Sequence, residues 1–347
     1  MRVLVHVYNV SGYLMAELAA LQKVGAEVAV LYTPWNEEYQ EARYPTIKWV
    51  RRTDVQSVSE VLAALGAFRP DVFLCGGWSD SLALDLAGKL KAMGVTTVMA
   101  IDTPWRGTFR QWVNCLLGRF VLLPKFNAAW AAGPSQVKYL RKLGFAPSRI
   151  QVGFYSADTD KFNDVWCRRQ GLPKVPHVFI YVGRYAPEKN MRRMERAFLA
   201  AAAELPQCDW RLRCIGFGEL WDQRTLDPRI EHLGRKFPEE IQDFVAESGA
   251  FVLASLFEPW GVVVHEFALV GLPMICSSRV QATTAYLKDG QNGYLFDPED
   301  EASMKNAFSK IMSASDETLR QMGAVSHELG AAYTTDDWAQ RLLKFRK

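Results

Sequence analysis

From its first residues the chain alternates short apolar runs of strand length with longer runs of helical period. VLVHVY leads through Gly12 into LMAELAALQKVG, and AEVAVLY, SVSEVLAALGAF, DVFLCGG, LALDLAGKLKAMG and TTVMAID follow. Apolar strands separated by helices bury both faces only as a parallel sheet with helices on either side. A second series starts near residue 177: HVFIYVGR, MRRMERAFLAAAAEL, WRLRCIGFG, EEIQDFVAESG, AFVLAS, VVVHEFALVG and PMICS. A length of 347 residues accommodates two such domains. The expected class is therefore α/β, with two Rossmann-like, doubly wound parallel-sheet domains. Their expected extents are 1–157, with a C-terminal helix at 335–347 packing back on it, and 177–334. Turn residues and mixed charge make 158–176 the expected linker. Ligands of such sheets bind beyond the carboxyl ends of the strands, so the expected site is a cleft between the two.

Composition narrows the functional classes. Six cysteines occur without a CxxC pair, which argues against a zinc site or a disulfide framework and fits a reducing cytoplasm. The opening MRVLVHVYNV reads as a first strand, not a leader peptide, and no apolar run approaches the roughly 18 residues of a spanning helix. GFGELW has Trp221 where a dinucleotide fingerprint needs its third glycine, and no GxxxxGK is present. His6, His177, His232, His265 and His327 show no ligand spacing. Residues 1–155 hold 17 Lys+Arg and 11 Asp+Glu, so this half is basic while the remainder is acidic. No acid occurs between Asp102 and Asp158. The first half is expected to meet an anionic partner that is not a nucleic acid.

Chemistry concentrates in two stretches of the second half. In YVGRYAPEKNMRRMERAF a strand runs into Gly183-Arg184, a short loop, and Lys189 at a helix start. Two cations aimed at a helix N-terminus suit a diphosphate, although solvated loop charges are the plainer reading of either alone. In SLFEPWGVVVHE, Pro259 and Gly261 punctuate a strand-to-helix turn. Glu258 then sits on the loop and Glu266 about one turn into the helix. The amides near Gly261 and Val262 face out of the helix start, where partial positive charge collects. A capping role for Glu258 is the bland alternative.

Together GRYAPEKN, CIGFGEL, LGRKFPEEI, SLFEPWGVVVHEFALVGLPMICS and LKDGQNGYLFDPED resemble the retaining family 4 glycosyltransferases of the GT-B fold. The set covers nearly all of residues 177–300, and its glutamate pair matches the E-x7-E motif of that family. The resemblance implies transfer of a sugar from a nucleotide diphosphate donor, UDP- or GDP-linked, in cell-surface polysaccharide, lipopolysaccharide or glycolipid synthesis. It implies that Arg184 and Lys189 hold the diphosphate and that Glu266 grips the ribose hydroxyls. Glu258 would face the donor sugar beside the amides of Trp260, Gly261 and Val262. Gly12, Gly183 and Gly216 would let backbone approach the donor, and the base would meet backbone near Arg235 and Lys236. No metal or other cofactor is implied. The acceptor would be a carbohydrate or lipid-linked molecule held by the first half. Other readings are a GT-B sugar phosphorylase or epimerase, or a nucleotide-sugar binder without turnover.

Several positions depart from the family pattern. Val10-Ser11-Gly12 replaces a glycine pair, and Asp102, ending the fourth strand read in the first half, replaces a histidine. Asp102 is assigned to the sugar or acceptor face. YSADTDKF replaces an asparagine-glycine, and Ala285 stands where a glutamate is common. The DxD at Asp158-Thr159-Asp160 falls in the expected linker, so a metal role is not assigned to it.

The stretch WRGTFRQWVNCLLGRFVLLPKFNAAW places Trp105, Phe109, Trp112, Val113, Leu116, Leu117 and Phe120 on one helical face, with Arg106, Arg110 and Arg119 off it. The favoured reading is a core-facing helix with solvated arginines. The alternative is a basic amphipathic helix lying on an anionic membrane, a peripheral association of a cytoplasmic protein.

Overall fold

The computed structural model describes residues 1–34, 41 and 44–345. The chain divides into two compact units. Unit 1 comprises Met1–Ser156 and the residues from Thr334 on, and unit 2 comprises Ala157–Tyr333. Unit 1 holds seven strands: β1 Arg2–Val7, β2 Glu27–Tyr32, β3 Lys48–Arg51, β4 Val72–Cys75, β5 Thr96–Ile101, β6 Ala128–Ala131 and β7 Ile150–Val152. Their order is β3-β2-β1-β4-β5-β6-β7, and every pairing is parallel. Unit 2 holds β8 Val178–Val182, β9 Arg211–Ile215, β10 Ile230–Gly234, β11 Ala250–Leu253, β12 Met274–Ser277 and β13 Gly293–Phe296. Its order is β10-β9-β8-β11-β12-β13, again wholly parallel. Strand order reverses between β1 and β4 in one sheet and between β8 and β11 in the other. Loops diverge at such a point and leave a crevice.

The central strands are apolar on both faces because helices cover both. All four residues of β4, β11 and β12 are buried, and so are all six of β5. Strands β3, β6, β7, β10 and β13, of three to five residues each, are too short to give a periodic signal and are not read from the sequence. Asp102 therefore follows the fifth strand, not the fourth. The stretch expected as a linker carries a helix over Thr159–Arg169, which buries Phe162 and Val165 within unit 2. Its mixed charge is the solvated face of that helix. The Asp158 side chain caps it by accepting from the Lys161 N–H (3.2 Å), which gives the first residue of the DxD stretch a structural task. The C-terminal helix spans Thr335–Leu343 within unit 1; of the expected 335–347, residues 346–347 lie outside the described ones. Trp338 stacks on Trp130, with ring centroids 5.2 Å apart, and its indole N–H donates to the Phe154 carbonyl. All six cysteines are free.

The helix Phe109–Val121 overturns the core-facing reading. Its buried residues are Gln111, Cys115 and Gly118. Phe109 is 83% exposed, Phe120 81% and Leu116 72%, and Trp112 and Leu117 are also exposed. Gly118 explains the orientation, because a Cβ there would come within 2.8 Å of Leu143. The helix packs through its smallest side chain.

Candidate functional site

In unit 2 the loops after β8 and β11 meet. Pro187–Lys189 forms a single 3-10 turn, and Asn190 follows in a left-handed conformation (φ 59°) that opens the helix Met191–Glu204. The Asn190 amide donates to the carbonyls of Ala254 (3.2 Å) and Pro298 (2.8 Å). The Leu256 N–H donates to the Glu188 carbonyl at 2.8 Å, so the two loops are joined by backbone. Lys189 forms an ion pair with Glu258, and both side chains are 15% exposed. Ser255 Oγ donates to the same carboxylate oxygen (3.3 Å). A carboxylate and an ammonium thus sit partly desolvated at the reversal point of the sheet, where their charges are strengthened.

Beside them lies the start of the helix Val262–Leu269. Its cap is Gly261, with φ +95°, and a Cβ there would lie 3.0 Å from Glu258 Cγ. A side chain at this position would be strained and would press on the carboxylate. Trp260 is buried, and its indole N–H has no hydrogen-bond partner among the described residues. Among the described residues no side chain caps this helix, which leaves its first amides to an anion. One turn on, Glu266 is half-buried, and its carboxylate makes no hydrogen bond or ion pair among the described residues. Burial pushes its carboxyl up to about 7; the Lys161 charge pulls it down and the Asp158 charge pushes it up. Neighbouring His265 has a packing role instead. Its Nδ1 accepts from the Ala157 N–H (3.0 Å), its Nε2 donates to the Gly330 carbonyl (2.9 Å), and burial lowers it to about 4.

The remaining assigned residues of unit 2 are more dispersed. Gly183 and Gly216 end β8 and β9, and a Cβ on Gly216 would collide with the Gly183 carbonyl oxygen. Close backbone packing of the strand ends explains Gly216, whereas a Cβ on Gly183 would press on the Tyr181 hydroxyl. The Arg184 side chain is 73% exposed and pairs with Glu188 (2.6 Å), not with the Lys189–Glu258 pair. Arg235 is exposed, and Lys236 pairs with Glu240 (3.2 Å). Asn190, Ser255 and Lys161 belong to this neighbourhood but were not assigned. Asn190 offered a signal as the last residue of the matched loop; the other two offered none.

Unit 1 has its own cavity of about 330 Å³, at the carboxyl ends of β1, β4 and β5. Asp102 lines it and accepts from the Tyr155 hydroxyl (3.2 Å). Gly12 opens the helix Gly12–Lys23 in ordinary helical backbone, with Ser11 as cap, so no left-handed freedom is used there. The unassigned Glu17, on that helix, reaches the cavity while 1% exposed. One of its oxygens accepts from the Ser156 N–H (2.9 Å), and burial raises its pKa well above the usual carboxylate range. Among the described residues no group of three or more His, Cys, Asp or Glu is placed to hold a metal.

Comparison with known proteins places these features. Residues 176–314 match the sequence model of the family described as Glycosyl transferases group 1. The D-inositol 3-phosphate glycosyltransferase of Corynebacterium efficiens is 25% identical over 201 residues, which cover 52% of this chain. The UDP-Gal:alpha-D-GlcNAc-diphosphoundecaprenol alpha-1,3-galactosyltransferase of Escherichia coli is 26% identical over 188 residues, 50% of this chain. The matched stretch spans less than half the length of either relative, 47% in each case. Among solved structures, HepE of Anabaena in complex with UDP and glucose superposes with a TM-score of 0.75 at 15% identity. That superposition covers 99% of this chain and 98% of the other. The fold expected from the sequence, GT-B with two parallel-sheet α/β units, is the one found.

Proposed function

We propose that this chain, a GT-B protein whose residues 176–314 are of the Glycosyl transferases group 1 family, moves a sugar from a nucleotide diphosphate donor to an acceptor, with retention at the anomeric carbon. The observation that carries this reading is the convergence of Lys189, Glu258 and the uncapped helix start at Gly261 on the β8/β11 reversal point. Negative charge grows on the departing diphosphate, so catalysis consists mainly of stabilising it. Lys189, Arg184 and the amides of Trp260 to Val262 do this without a metal. An arriving diphosphate competes with Glu258 for Lys189, which turns the carboxylate toward the donor sugar. There it orients the ring and favours a cationic anomeric carbon. Glu266 accepts from the ribose hydroxyls. Backbone near Gly216, Arg235 and Lys236 meets the base, and Asp102 faces the acceptor. The product belongs to cell-surface polysaccharide, lipopolysaccharide or glycolipid synthesis, made on the cytoplasmic side of a membrane that the helix Phe109–Val121 touches.

Titration with UDP, GDP, ADP and TDP, followed by transfer assays with the matching nucleotide-sugars and NMR of the product anomer, tests the reading. Nucleotide affinity without transferred sugar in any assay marks a binder. Transfer from a sugar phosphate, or epimerised donor, marks the phosphorylase or epimerase alternatives.

A further inference from the structure

The helix Thr159–Arg169 joins two parts of the unit 2 site. It packs against both the helix Pro238–Ala246 and the helix Val262–Leu269. Lys161, in its first turn, is half-buried and donates from Nζ to the Pro238 carbonyl at 3.1 Å. Pro238 opens its own helix directly after Arg235, Lys236 and Phe237, the loop that follows β10. A cation in a first turn opposes the helix dipole, so Lys161 does not serve the helix that carries it. It makes no ion pair among the described residues. A partly desolvated ammonium in that position is stabilised by carboxylates that share its surroundings.

Glu266 is one such carboxylate. Burial raises its carboxyl, the Lys161 charge opposes that rise, and the Asp158 charge adds to it. Asp158 stands just before the helix and accepts from the Lys161 N–H at 3.2 Å. Other elements also pack on the helix Val262–Leu269, and two of their titratable groups touch it. His327 donates from Nδ1 to the Leu269 carbonyl (2.6 Å), and Tyr286 stacks on His265 with centroids 4.3 Å apart. Neither acts on the Glu266 charge. Among the described residues, Lys161 is the one cation that does.

We propose that Lys161 is a positioning residue for the nucleoside half of this site: through Pro238 it holds the loop 235–237, and beside Glu266 it supplies the positive charge that the ribose-binding carboxylate otherwise lacks. One side chain thereby ties the loop that meets the base to the carboxylate that meets the ribose, and the two keep a fixed spacing. The diphosphate half is served separately, because Lys189, Glu258 and the helix start at Gly261 make no hydrogen bond or ion pair with Lys161 among the described residues. This deepens the proposed function and rests on it for the ribose role of Glu266. The contacts of Lys161 lie within unit 2 and stand without it.

The test reads the whole chain in two ways. Isotope-labelled glutamate side chains report the Glu266 titration by NMR, its signal being the one lost in Glu266→Gln. From a midpoint of about 7, Lys161→Met should move it up, because the opposing cation is gone. Asp158→Asn, which keeps the helix cap, should move it down, and Lys161→Arg should leave it in place. Calorimetric titration with UDP, GDP, ADP and TDP, and separately with inorganic pyrophosphate, reports binding. The tightest of the four nucleotides should lose about tenfold in affinity in Lys161→Met and recover in Lys161→Arg, while pyrophosphate holds. A purely structural side chain would weaken both ligands together and leave the midpoint where it was. An unmoved Glu266 midpoint in Lys161→Met overturns the proposal. So does nucleotide affinity that is unchanged there, or that falls equally with pyrophosphate. Wild-type nucleotide affinity in Glu266→Gln counts against the ribose role alone, since the midpoints are read on the unliganded chain.

Discussion

At the residue scale the unit 2 site rests on two carboxylates in opposite situations. Glu258 is committed to Lys189, whereas Glu266 faces no donor among the described residues and has a carboxyl raised from 4.5 to about 7 by burial. A carboxyl raised in the folded state contributes stability that is intact below its ordinary value and is lost as pH rises through its folded value. The melting temperature of the wild type should therefore fall relative to Glu266→Gln as pH goes from about 5 to about 8. Ribose hydroxyls are held by the ionised form, so nucleotide diphosphate affinity should climb over the same window. That climb should be missing in Glu266→Gln; its persistence there would detach the ribose role from this residue. Glu266→Ala should weaken the nucleotide diphosphate by about 1.5–3 kcal/mol, the size of a hydrogen bond to a charged group. For the other pair, Lys189→Ala should depress turnover strongly, because the ammonium acts on charge that grows in the transition state. Glu258→Gln should also slow transfer while nucleotide affinity holds or improves, since the competing carboxylate charge is gone. Measured kcat and nucleotide affinity that fall together in Glu258→Gln would contradict the division of roles.

At the scale of elements, the strand-turn-helix after β11 depends on a glycine that caps without a side chain. Gly261→Ala combines left-handed strain with contact on Glu258 Cγ and should cost about 1–3 kcal/mol of stability. It should also reduce nucleotide affinity. Gly25→Ala is the natural control: its φ is +79°, and a Cβ there meets nothing within 4 Å. Urea unfolding should show loss in both variants, and titration should show loss of nucleotide binding only in Gly261→Ala. Equal affinities would mean that the turn merely connects two elements. The helix Phe109–Val121 teaches a different point about legibility. Periodicity located its apolar stripe, but a stripe does not say what it faces. Gly118 decided that, by letting the opposite side approach Leu143 closely.

For the whole molecule, charge and exposure point outward together. The residues from 1 to 155 carry the excess of Lys and Arg, and Phe109, Leu116 and Phe120 stand in solvent on a helix bearing Arg110 and Arg119. Among the described residues no helix is long and apolar enough to cross a membrane. In the proposed peripheral contact with an anionic bilayer, each cation near the surface would contribute about 1 kcal/mol, screened by salt. Sedimentation with anionic vesicles should show binding that declines steeply as salt is raised. Arg106→Glu with Arg110→Glu should lower it without changing nucleotide affinity. Equal, negligible sedimentation with anionic and neutral vesicles at low salt would end the membrane reading.

The alternation of central strands and helices in both halves, the E-x7-E pair and the cationic loop were legible in sequence, because apolar period and turn residues act over a few neighbours. The helical run VVVHEFALVG is found as the helix Val262–Leu269 for that reason. Strand order was not legible, since pairing joins residues dozens of positions apart. Only the tertiary structure brought Lys189 to Glu258, turned Arg184 outward to Glu188, and folded 159–169 into unit 2 instead of leaving it as a linker. It alone buried Glu17 beside Asp102, because burial depends on what covers a side chain and not on the side chain itself.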